Sequence, residues 1–128
     1  MFSANVGTDH ARSIIIYVDC NLDSVEVHYT FTFSDFLFFN ILENGKCKIS
    51  IGAFYRSPSR ALNNDLNMLK LIDFVCKTCD SKLLLIGDFN FRDINWDNWV
   101  LQEISTRLST ENRFLASLRD NLLLIKTC

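Results

Sequence analysis

Apolar and polar positions change period about halfway along the chain. The first half reads as strands. Ser13-Ile14-Ile15-Ile16-Tyr17-Val18 is β-branched and apolar. Asp19 to Asp23 reads as a turn, and Val25 to Phe33 alternates in part, with Thr30 and Thr32 either side of Phe31. Phe36 to Leu42 is a second apolar strand. Glu43-Asn44-Gly45-Lys46 follows it, and Asn-Gly between apolar runs is a strong hairpin signal. The returning strand runs from Cys47 to about Tyr55, with Lys48 and Ser50 opposite to Ile49 and Ile51. Then the spacing becomes helical: Leu62, Leu66, Leu69, Ile72 and Cys76 share one face, and Asn63, Asn64, Asp65 and Lys70 fall largely on the other. Lys82 to Ile86 is a buried strand. Phe91 to Ser105 has no clean period and reads as a loop with short turns. A second helix is expected from Thr110 to Asn121, burying Phe114, Leu115, Leu118 and Leu122, with Thr110 or Ser109 as its cap. Leu122 to Ile125 starts a last strand. Residues 1–12 are polar and read as an irregular segment before a single domain over 13–128.

One inference turns this order into a site. The strand ending at Tyr55, the helix from Leu62 and the strand ending at Ile86 form a β-α-β unit, which joins parallel strands. Parallel strands share a C-terminal edge, and α/β proteins place ligands there. Tyr55-Arg56-Ser57 and Gly87-Asp88-Phe89-Asn90 then meet at one edge. In extended chain Asp88 and Asn90 point one way and Phe89 the other. Asp88 can orient an attacking water and accept its proton. Asn90 can donate its amide to a phosphate oxygen without the repulsion that a carboxylate brings. Gly87 leaves room for a substrate. Tyr55 offers a hydroxyl, and Arg56 a fixed positive charge for phosphate. The plainer readings are that Asp-X-Asn is a turn bonding its own backbone, that Tyr55 packs half inside and that Arg56 is solvated. Trp96 and Trp99 read as loop anchors rather than platforms for bases.

Composition narrows the picture little. The chain has 128 residues, 48% of them hydrophobic, enough for a real core and against disorder. Its net charge of −2 is not that of a protein that grips nucleic acid by bulk charge. Five cysteines with irregular spacing and no signal peptide suggest a reduced, intracellular protein. Cys76-Lys77-Thr78-Cys79 reads as one face near a helix end: no second CxxC follows, and His10 and His28 are distant. No run reaches the ~18 apolar residues of a membrane span, so no membrane is expected as a partner.

Leu84-Leu85-Ile86-Gly87-Asp88-Phe89-Asn90 resembles the Gly-Asp-Phe-Asn motif of the endonuclease/exonuclease/phosphatase superfamily. Asp93-Ile94-Asn95-Trp96 is similar to the tail of that motif in the endonuclease domains of non-LTR (LINE-type) retrotransposons, which accompany a reverse transcriptase. Gly52-Ala53-Phe54-Tyr55-Arg56-Ser57-Pro58-Ser59 resembles their Tyr-Arg-Pro-Pro-type segment, and Phe114 to Leu122 their following helix. The resemblance implies an α/β (α+β) fold, a four-layer α/β sandwich of two packed mixed sheets, incomplete at both ends. It implies a nuclear hydrolase that nicks DNA with Mg²⁺ or Mn²⁺. Asp88 then matches the residue that positions or deprotonates the water, Asn90 a partner that contacts the scissile phosphate and joins the metal site with Asp88, and Tyr55 a phosphate donor. The family's upstream metal Glu and its closing Asp-His pair have no counterpart in this sequence. The expectation is therefore a partial domain without activity of its own. A phosphatase of the same superfamily and a non-catalytic interaction module, self-associating through open sheet edges, are the alternatives.

Overall fold

A computed structural model of the chain describes residues 2–5, 13–58, 62–98, 100–101, 110–120 and 124–127. The expected hairpin is its centre. Strands β4 (Phe36–Glu43) and β5 (Lys46–Tyr55) are antiparallel and joined by Asn44 and Gly45. Both turn residues have left-handed backbone, φ 53° and 74°, which a two-residue hairpin matched to strand twist requires. Strand β3 (Asp23–Val27) adds to β4 antiparallel. Helix α1 (Leu62–Thr78) then carries the chain to β6 (Lys82–Asp88), which lies parallel to β5. Strand β9 (Leu124–Thr127) adds parallel to β6, giving the order β3-β4-β5-β6-β9.

Side chains alternate across this sheet. Phe38, Phe54 and Leu85 face Met68, Leu69, Leu71, Ile72 and Val75 of α1 and Phe114, Leu115 and Leu118 of α2 (Thr110–Asp120) in one core. Leu37, Phe39 and Ala53 point to the opposite face and are also buried. The ribbon of β1 (Phe2–Asn5) and β2 (Ser13–Ile16), paired antiparallel, lies nearest to β4 and β5.

The two packed sheets are not found. Among the described residues there is one large mixed sheet with two helices, and the β1–β2 ribbon is too short to form a second layer. Phe2–Asn5 is a strand where an irregular segment was expected. Its own residues carry little β-signal, and the pairing comes from the β-branched partner, with Phe2 opposite Ile16. The segment after the site, expected as a loop, holds two-residue strands β7 (Ile94–Asn95) and β8 (Val100–Leu101), paired antiparallel. Trp99, Ser109, Asn121 and Leu122 lie outside the described residues. No described helix is long and apolar enough to cross a membrane.

Candidate active site

Parallel pairing of β5 with β6 puts Tyr55 directly opposite Asp88 at the C-terminal edge. The ladder runs one residue further, because the Arg56 amide donates to the Asp88 carbonyl at 2.8 Å. On its other side the Tyr55 amide donates to the Asp35 carbonyl at 3.0 Å. The two loops expected at one edge do share it.

Gly87 has a reason other than the one expected. Its φ is 155°, and a Cβ built there would sit 2.1 Å from the Phe54 carbonyl oxygen. The missing side chain makes room for the neighbouring strand's backbone.

Past Asp88 the chain leaves the sheet. Phe89 and Phe91 turn inward, with ring centroids 4.9 and 4.8 Å from Phe114 of α2. Phe89 also stacks on Phe54 at 5.9 Å. Asn90 between them has φ 49°, so Asp88 and Asn90 are not on one extended strand and do not project together. The Asn90 amide donates to the Arg56 carbonyl at 2.6 Å. It binds protein backbone where a phosphate oxygen was expected.

Arg56 also departs from expectation. It is only 8% exposed. Nε and Nη2 donate to the two carboxylate oxygens of Asp65, each at 2.8 Å, in the bidentate fork that arginine favours. Nη1 donates to the carbonyls of Asn90 at 2.8 Å and Phe89 at 3.3 Å. The guanidinium carbon lies 4.1 Å from the Phe91 ring centroid. Arg56 thus ties the β5 end, the first turn of α1 and the site loop together. A residue with this many fixed partners is not a free phosphate clamp. Asp65, expected on the polar face of the helix, is 4% exposed because Arg56 draws it in.

What faces outward is a shallow depression of about 220 Å³ lined by Gly87 to Arg92 and Trp96. Asp88 and Arg92 are its exposed charged groups. Trp96 is half-buried there and meets Phe114 edge-on at 6.2 Å, so it anchors the loop. Arg92 is the cation that the sequence reading passed over. The available signal was its position two residues beyond Asn90, on the same loop as Asp88. The depression offers one carboxylate, one arginine and the exposed part of an indole. That set can hold a water and meet one phosphate oxygen.

Among the described residues the set makes no ready-made cage for a resident metal. Mg²⁺ takes oxygen ligands in near-octahedral order and is held by one or two carboxylates with substrate phosphates. Asp88 is the depression's single carboxylate, the Asn90 amide is engaged, and no group of three His, Cys, Asp or Glu among the described residues could hold an ion. The chain matches no family model, no curated protein and no solved structure at a significant level.

Proposed function

We propose that the chain is part of an endonuclease/exonuclease/phosphatase-type domain of the LINE retrotransposon kind, keeping the scaffold of a phosphodiester-hydrolysing edge but not cleaving DNA by itself. The observation that carries this is Tyr55 opposite Asp88 at the C-terminal ends of adjacent parallel strands. A hydroxyl donor and a general base on such an edge suit attack by water on a phosphate ester. Against activity stands the isolation of Asp88. Hydrolysis of a phosphodiester must neutralise charge on the phosphate as it develops, which metal ions usually do, and this donor set supplies only Arg92 for it. Mg²⁺ or Mn²⁺ then belongs to the family's activity and not to this chain acting alone.

Supercoiled plasmid incubated with the full chain and Mg²⁺ tests the inactive part. Conversion to open circle is expected at the same background rate for the wild type and Asp88→Ala. Nicking that disappears in Asp88→Ala overturns it. Descent is tested on the coding nucleic acid. A metal-binding Glu segment upstream, and an Asp-His pair and reverse transcriptase downstream in the same frame, are expected; an unrelated frame on both sides refutes it.

A second reading, a non-catalytic module that pairs with another chain, is favoured by exposed apolar residues in β2, β3 and the segment between them. Ile15, Tyr17, Leu22 and Val25 are 50%, 79%, 50% and 46% exposed.

A further inference from the structure

The end of the sheet opposite Tyr55 and Asp88 holds a cluster of thiols and hydroxyls. Cys47 lies near the start of β5, and Cys79 and Ser81 in the link between α1 and β6. The Ser50 hydroxyl donates to the Asn40 side-chain oxygen at 2.8 Å and lies 3.0 Å from the Ser81 hydroxyl. The Cys47 sulfur is 3.3 Å from the Ser81 hydroxyl and 3.5 Å from that of Ser50. The Cys79 sulfur is 3.3 Å from each of the same two oxygens. Two thiols far apart in sequence therefore share two neighbours, and their sulfurs can be no further apart than twice 3.3 Å.

The CxxC spacing suggests a different pair, Cys76 with Cys79. Cys76 is packed against the core from the helix. Burial, then Asp73, then Cys79 push its thiol up from its ordinary value to about 11. A thiol held protonated is a slow nucleophile. Cys47 is exposed and Cys79 half-buried.

We propose that Cys47 and Cys79 form a reversible disulfide by exchange with a small-molecule disulfide such as oxidised glutathione. The exposed Cys47 thiolate attacks one glutathione sulfur, forming a mixed disulfide and releasing one glutathione thiolate. The Cys79 thiolate then attacks the Cys47 sulfur and expels the second. Two protein thiols are oxidised, one glutathione disulfide is reduced, and the two protons pass to the released glutathione. The bond staples the start of β5 to the link that leads from α1 into β6, at the end of the parallel pair away from Asp88.

The test is a titration of the full chain in glutathione buffers of rising oxidised fraction, with acid quench, alkylation of free thiols, and tryptic mapping without reduction. Trypsin cuts after Lys46, Lys48, Lys70, Lys77 and Lys82, so Cys47, Cys76 and Cys79 fall in separate peptides. The expected result is joint loss of alkylation at Cys47 and Cys79 and a cross-link between their peptides, reversed by dithiothreitol and retained in Cys76→Ser. A cross-link between the Cys76 and Cys79 peptides instead, or both Cys47 and Cys79 recovered as alkylated thiols at the most oxidising ratio, overturns the proposal.

Discussion

The guanidinium of Arg56 meets both oxygens of Asp65 at 2.8 Å, and water reaches neither side chain well. Taking one partner from a buried pair leaves the other charge uncompensated. Asp65→Ala should therefore cost ~3–5 kcal/mol, measured as a shift in the urea unfolding midpoint at constant slope. Arg56→Ala added to it should cost much less than the two single effects combined, since no lone charge then remains. Additive losses would show that the pair is not coupled. Position decided how legible these residues were. Tyr55 and Asp88 end strands with clear periods, so their meeting followed from the β-α-β order. Arg56 and Asn90 were legible only as residue types. Their jobs depend on Asp65 arriving from a helix and on a left-handed backbone at Asn90, and neither is written in local pattern.

Helix α1 buries Met68, Leu69, Leu71, Ile72 and Val75, a wider band than the expected stripe. It lies on the sheet and also meets α2, where the Ser117 hydroxyl donates to Asp73 at 2.7 Å. Two contact surfaces therefore bury two adjoining stripes. Leu62 opens the same periodic series yet is 60% exposed, being the first helical residue. Ile72→Ala should cost ~2–5 kcal/mol by leaving a cavity. Leu62→Ala should stay within about 0.5 kcal/mol of the wild type. Chemical denaturation of both variants checks the contrast, and equal losses would mean that α1 is not packed as described. The long elements were legible because burial on one side imposes a period. Strands β7 and β8, two residues each, are too short to show one.

For the molecule as a whole, the expectation that fails is the pair of packed sheets, since the described residues build one large mixed sheet. Strand patterns report which residues are buried, but not what buries them. Leu37 and Phe39 look the same under a ribbon as under a second sheet. The large sheet ends at β3, which has β4 as its sole strand partner among the described residues. Val25 stands exposed on that edge at 46%. An open edge of this kind is a template on which another strand can pair. Light scattering coupled to size-exclusion chromatography should show a mass that rises with concentration for the wild type and a monomer for Val25→Lys. A wild-type monomer at every concentration would rule out self-association. At the opposite corner, Gly87, Phe89 and Asn90 serve the architecture: one admits a neighbouring strand, one fills the core, one closes the loop onto Arg56. Asp88 is the motif's one exposed side chain. Selection for folding alone would leave that one letter free to vary and bind the other three. Three of the four positions thus hold the shape of the loop, and the fourth meets the solvent.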